Sequence, residues 1–254
     1  MPQPAPRGVR LHRRRLLSRA ALIACLCGLS PGWAAEDGGD DAPLLRRIPD
    51  VAEGVKSLPA FLRDIDLKLH LRTYYFNQRT SSDTYNEAWA GGGWLAYQSG
   101  WLLDTFQMGA TVYTSIPLYA PDDRDGTDLL KPGQIGFIVP GIAYGALRYK
   151  DYALLTGYRQ LVDQTYVNPQ DNRMVPNTFE GVTLKGTVGF ADYLVGYLTQ
   201  MKQRDADQFI SMAEAAGVTD NSSGLVLAGV NLTPWKDLKL QLSNQYGNDV
   251  FNAT

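Results

Sequence analysis

Lys68, His70 and Arg72 stand at every second position of the stretch Leu67-Lys68-Leu69-His70-Leu71-Arg72-Thr73-Tyr74-Tyr75-Phe76-Asn77. In an extended strand successive side chains point to opposite faces. These three therefore share one face with Tyr74 and Phe76, while Leu67, Leu69, Leu71, Thr73 and Tyr75 share the other. A row of fixed cations is chemistry for handling anions: it concentrates negative solutes. An arginine fork also grips a carboxylate through two parallel hydrogen bonds. Taken alone, the stretch favours an amphipathic strand of a soluble sandwich with a solvated charged face. The rest of the chain must decide between them.

Bond-making chemistry has little to draw on. The two cysteines, Cys25 and Cys27, and one of the two histidines, His12, fall within residues 1–34. That segment carries Arg7, Arg10, Arg13, Arg14, Arg15 and Arg19, then a short apolar run from residue 20 to 29, then Pro31-Gly32-Trp33-Ala34. It reads as a bacterial secretory signal peptide cleaved after Ala34 or Ala35. Arg14-Arg15 resembles a twin-arginine signal and Leu22-Ile23-Ala24-Cys25 a lipoprotein box. The box is discounted because it leaves almost no apolar run before its cysteine, and the twin-arginine reading because the domain that follows is expected to cross the inner membrane unfolded. Without residues 1–34 the chain keeps no cysteine, so no disulfide, thiolate metal site or cysteine nucleophile is expected. No cofactor or metal is expected either. Removing six arginines and no acid from 24 basic and 26 acidic residues leaves a formal charge of −8, which argues against nucleic acid as a partner.

Residues 35–65 read as a polar periplasmic leader, and residues 66–254 as the folded domain. No apolar run reaches the roughly 18 residues of a transmembrane helix. Instead, segments with period-two character recur at 66–77, 87–97, 101–114, up to 149, and at 152–159, 179–188, 193–201, 224–232 and 238–246. Gly91, Gly92 and Gly93 mark a bend or close packing in the second. The connections between segments alternate strictly between short turns and long polar loops. A transmembrane β-barrel is built this way, with tight periplasmic turns and long external loops. The segments are roughly 8–13 residues long, enough to span a bilayer when tilted. The 14 Tyr and 5 Trp suit aromatic girdles, and the 25 Gly suit close strand packing. Period two cannot by itself distinguish a barrel with its apolar face inside from one with it outside. The fold class expected is an all-β transmembrane antiparallel barrel, with about nine strands in this chain. A short helix is expected within 209–216. Asp122-Asp123-Arg124-Asp125-Gly126 offers oxygens to calcium but lacks the glutamate that closes an EF-hand loop, so a solvated loop tip is expected.

If the apolar face meets lipid, parity turns Lys68, His70 and Arg72 into the lumen, together with Arg148, Arg159, Lys185 and Lys239. The alternative is that these charges only solvate the pore or pair with loop carboxylates. The loop 160–178 contains Tyr166, Asp171, Arg173 and two prolines. Its apolar residues need a surface to pack against, which suits folding into the lumen as a constriction.

Leu71-Arg72-Thr73-Tyr74-Tyr75-Phe76-Asn77, then Trp89 and Leu95-Ala96-Tyr97-Gln98-Ser99-Gly100-Trp101, then Arg173-Met174-Val175-Pro176 and Phe179-Glu180-Gly181, resemble the OprD family of outer-membrane porins. The resemblance runs from about residue 60 to the end of the chain. It implies an 18-stranded channel of Gram-negative bacteria, of which this chain is the N-terminal part, narrowed by inward loops and a lumenal basic ladder. Such channels pass small solutes, often carboxylates or amino acids, by facilitated diffusion. Arg72 matches the family's first-strand arginine, Arg148 a recurrent basic position of the fourth strand, and residues 160–178 the third-loop constriction. Leu155 stands where some members carry an inward lysine. Nine strands leave two open edges, so the chain alone is not expected to make a stable pore.

The function expected is thus a passive, substrate-selective outer-membrane porin. Its expected partners are lipid, lipopolysaccharide, the barrel assembly machinery and small solutes. An unselective general porin and a secreted ligand-binding β-barrel are the rival readings. An enzyme is disfavoured: His70 lies between two cations, and no Gly-x-Ser-x-Gly elbow occurs.

Overall fold

The structure is a computed structural model that describes residues 54, 56–81, 84–219, 221–248 and 250–254. The signal peptide expected over 1–34 and most of the leader expected over 35–65 lie outside the described residues. The described residues belong to the second of two compact units, Gly39–Thr254.

A one-turn helix α1 (Ala60–Arg63) precedes nine long strands: β1 (Asp66–Arg79), β2 (Tyr85–Gln98), β3 (Phe106–Tyr119), β4 (Phe137–Tyr149), β5 (Ala153–Gln160), β6 (Thr178–Val188), β7 (Ala191–Lys202), β9 (Leu225–Trp235) and β10 (Leu238–Gly247). Two short strands, β8 (Ile210–Ser211) and β11 (Phe251–Ala253), and a helical turn α2 (Met212–Ala215) are the remaining strands and α-helix among the described residues. Every long strand pairs antiparallel with the next, in the order β1-β2-β3-β4-β5-β6-β7-β9-β10-β11, and β8 pairs with β7. The structure thus adds two strands to the nine expected. Both are too short to carry a period-two signal. The expected helix is present as α2, capped by the Ser211 hydroxyl, which accepts a hydrogen bond from the Glu214 N–H at 3.0 Å.

Strand boundaries shift from expectation by up to five residues, and the start of the third is among the largest shifts. The third strand begins at Phe106, not Trp101, because residues 99–105 form a turn with Leu103 and Asp104 at φ 50° and 58°. Leu103 rarely adopts left-handed backbone and Asp104 is only a weak pointer to it, so the residue types gave little signal there. The three glycines of β2 do mark close packing: a Cβ on Gly93 would lie 1.9 Å from the His70 carbonyl oxygen, and the residue sits at φ 136°. The Asp122–Arg124 stretch is a single 3-10 turn. Asp125 accepts from the Gly126 and Gly133 N–H groups, both at 2.6 Å, so its carboxylate shapes the loop backbone.

The two faces of the sheet are buried in reverse of a soluble protein. On β3, Gln107, Thr111, Tyr113 and Ser115 are buried, while Met108, Val112 and Ile116 are exposed. On β1, Leu69 is 70 % and Leu71 77 % exposed, whereas Arg72, Tyr74 and Phe76 on the other face are partly covered. Registration carries the same parity across the sheet: Arg72 opposes Gly92, Gly92 opposes Ser115, and Ser115 opposes Phe137. Exposed Leu95, Ile138, Leu155, Val182, Val195 and Leu242 continue the apolar face. Leu155, expected at an inward position, thus faces outward opposite Leu147, and Leu154 takes the inward place opposite Arg148. Leaving this much leucine, isoleucine and valine in water is unfavourable by about 25 cal/mol per Å². A hydrocarbon solvent removes that penalty. Exposed aromatics fringe both ends of the sheet. Tyr75, Trp89 and Tyr119 lie toward the long loops, and Tyr149, Tyr152, Phe190 and Trp235 toward the short turns. Amphipathic rings sit at this height at a membrane interface.

Candidate functional site

The loop-covered face is occupied by the connection 161–177. Two apolar clusters hold it. Met174 and Val175, together with Leu129 and Leu130 of the β3–β4 connection, pack on Ala88, Ala90, Tyr113, Phe137, Val139 and Ile142. Val162 and Val167 pack on Phe179, Leu198, Leu225 and Leu227. Small wall residues make room: Ala88 and Ala90 have no exposed surface, and the loop's Gln164 lies directly over Gly229. This is the packing surface that the loop's apolar residues require.

Arg72 ties the loop to the first strand. Its guanidinium donates to both carboxylate oxygens of Asp171, at 2.6 and 3.2 Å, and to the Arg173 carbonyl oxygen. It also lies 4.7 Å from the centre of the Trp94 ring, on which His70 stacks at 4.0 Å. The Arg173 guanidinium donates to the Thr127 carbonyl oxygen at 2.9 Å and covers Phe76 at 4.4 Å. The loop thus engages Arg72 and Phe76 of the first strand, and Tyr74 between them packs against the same apolar cluster. Tyr166 is exposed on the loop's first limb and is not drawn to this cluster.

The other basic positions fall as follows. Lys68 pairs with Asp66 at 3.0 Å. Arg148 pairs with Asp104 and lies 4.1 Å over the Trp101 ring, at the short-turn end. Lys185 shares a row of paired positions with Leu154 and Arg148. Arg159 pairs with Glu180 at 3.1 Å and lies over Phe209 at 4.0 Å, next to Tyr158 at φ 80°. Lys239 is exposed at the register irregularity between Leu238 and Leu240. Four of the seven sequence-derived cations thus have a carboxylate partner. A paired charge holds geometry more than it projects a long-range field.

Sequence reasoning missed a second set of ties between the long loops. Arg204 donates to Asp128 at 2.6 Å and to Asn172 at 2.9 Å. Lys131 pairs with Asp207 at 2.7 Å, and this hydrogen bond holds the Asp207 carboxyl below its usual range. Burial pushes the neighbouring Asp205 carboxyl up. Lys202 is buried against two carbonyl oxygens. Arg124 pairs with Glu87 and lies 4.6 Å over Tyr85. Apart from Lys202 and Gln203, these partners are far apart in sequence, so no local pattern joins them. Among the described residues, no group of His, Cys, Asp or Glu is arranged to hold a metal ion.

An antiparallel sheet with its apolar face open, its polar face filled by long loops and aromatics at both rims is the wall of an outer-membrane β-barrel. Among curated proteins nothing matches. Solved structures do. Acinetobacter baumannii OccAB1 superposes with a TM-score of 0.63 at 15 % identity, covering 74 % of this chain and 46 % of that one. Pseudomonas aeruginosa OccK9 gives 0.64 at 21 %, covering 76 % and 53 %. A BenF-like porin from Pseudomonas fluorescens gives 0.60 at 20 %, covering 73 % and 50 %. At these identities the likeness is one of fold, and the chain spans about half the length of the structures it matches. The family model of the outer membrane porins of the OprD family matches residues 59–254, and the chain belongs to that family. It is accordingly an outer-membrane protein of Gram-negative bacteria, in a family of channels rather than enzymes.

Proposed function

We propose that the protein forms part of a passive, substrate-selective diffusion channel for small solutes, carboxylates and amino acids among them. The observation that supports this most directly is the loop 161–177 lying on the polar face with its tip held by Arg72. A loop fixed across the lumen narrows the path to an eyelet lined by Arg72, Asp171 and Arg173. Lys68, His70, Arg148, Arg159 and Lys185 supply further donors along the wall. A solute carboxylate exchanges water for these donors, and the adjacent carboxylates suit the ammonium of an amino acid. The open apolar face and its aromatic rims meet lipid and, on the loop side, lipopolysaccharide; the barrel assembly machinery inserts the chain. The carboxylate pairing of four ladder cations favours a second reading, an unselective general porin, since paired charges steer weakly.

The test uses the complete gene product in planar bilayers. Reversal potentials across a gradient of small sodium carboxylates, and liposome uptake of carboxylates against neutral sugars of equal size, separate the two readings. Preference for the carboxylates supports the selective channel. Equal permeation supports the general porin, and absence of conductance refutes both.

A further inference from the structure

β7 ends on a lysine with no exposed surface. The Lys202 ammonium donates to the Pro176 carbonyl oxygen at 3.0 Å and to the Gln203 carbonyl oxygen at 2.8 Å. Thr178, opposite it in register, is also fully buried. The Lys202 stem runs past Gly141, the extra residue at the irregularity between β3 and β4. A Cβ on Gly141 would come within 3.4 Å of Lys202 Cε and 2.8 Å of the Tyr113 ring.

A buried ammonium is costly unless its donors are satisfied. Here the acceptors come from two different loops: Pro176 ends the 161–177 connection, and Gln203 begins the one after β7. The limb between Met174 and Thr178 has almost no side-chain freedom, since Met174, Val175 and Thr178 are all fully buried. It is closed on itself where the Asn177 N–H donates to the Pro169 carbonyl oxygen at 2.7 Å. Two residues beyond Lys202, Arg204 adds its contact to Asn172. The loop is therefore fastened at two points, at its tip by Arg72 on β1 and along its returning limb by Lys202 at the end of β7.

We propose that Lys202 is a positioning residue of the eyelet: its ammonium fixes the 174–177 limb to the wall and so sets the width of the opening. This rests on the channel reading above, and the experiment keeps the two separable. Lys202→Met retains the stem without the donors; Lys202→Gln retains two donors at shorter reach. Both are made in the complete gene product and checked for folding by heat-modifiable gel mobility. Trypsin cleavage after Arg173 in detergent micelles reads loop release without any need for conduction. Single-channel recording reads the opening.

The expected result for folded Lys202→Met is cleavage at least about tenfold faster than wild type. Its conductance is expected to change by about twofold, with added open-channel noise, and Lys202→Gln should fall between. Wild-type cleavage and conductance in folded Lys202→Met overturn the proposal. Failure of both variants to fold also overturns it, because the residue is then needed for assembly rather than position. Accelerated cleavage in a protein that conducts in no form refutes the channel reading and leaves the latch standing.

Discussion

Replacing Arg72 with alanine removes the fastening of the loop tip. Three hydrogen bonds are lost: two to Asp171 and one to the Arg173 carbonyl oxygen. Hydrogen bonds to charged groups contribute about 1.5–3 kcal/mol net when shielded. The side chains are 18 % exposed at Arg72 and 41 % at Asp171, so screening by water cuts the two bonds to Asp171 to about 0.5 kcal/mol together, and the part-buried bond to the Arg173 carbonyl oxygen adds about 1 kcal/mol. Contact with the Trp94 ring at 4.7 Å adds about 0.5–1 kcal/mol. A total near 2 kcal/mol raises the population of the released loop roughly 30-fold. Amide hydrogen exchange over residues 168–175 of the complete protein in micelles measures this, with the β1–β2 amides as internal reference. The effect must depend on Asp171: in an Asp171→Asn background, Arg72→Ala should accelerate exchange only a few-fold. Exchange within twofold of wild type in Arg72→Ala refutes the reasoning, as does an equal effect in both backgrounds.

Three further perturbations probe other parts of the structure. Leu71→Arg places a charge on the open apolar face and should cost about 2–4 kcal/mol in lipid-vesicle unfolding titrations, falling toward zero only near the membrane surface. In a water-facing sheet the same change is close to neutral, so a cost below about 0.5 kcal/mol refutes the lipid-facing assignment. Gly100→Ala puts a Cβ 2.0 Å from the Ala60 carbonyl oxygen and displaces the Gly100 N–H from the Phe61 carbonyl oxygen, now 3.1 Å away. Amides of 60–64 should then lose protection while β7–β10 amides do not. The Lys131–Asp207 tie is pH-sensitive: the folded-state pKa of Asp207 lies below its unfolded value of about 3.9, so its stabilisation is complete above that value. It is lost as pH falls through the depressed pKa, so exchange over 203–209 should accelerate below about pH 4 in wild type and show no such step in Lys131→Met.

Much of this architecture is readable one residue at a time. Alternation of side chains is a property of the extended backbone itself, so Leu67, Leu69 and Leu71 against Lys68, His70 and Arg72 specify strand and faces without reference to the rest of the chain. Alternating loop lengths specify the antiparallel meander for the same local reason. Parity does not say which face is covered. That was settled when the 161–177 loop packed on the polar side and left Leu69 and Leu71 open. Local chemistry also misread residues 101–105 as strand, because Leu103 and Asp104 adopt a left-handed turn usually left to glycine.

The partners of the cations were the least legible. Arg72 finds Asp171 across 99 positions, and Arg204 finds Asp128 across 76. Lys202 looks like any strand-end lysine, yet it lies under two loops. Residue type and periodicity determined which side chains share a face. The path of the chain determined which charges meet, because an ion pair between distant residues depends on where the loops cross the sheet, and no local backbone preference encodes that crossing.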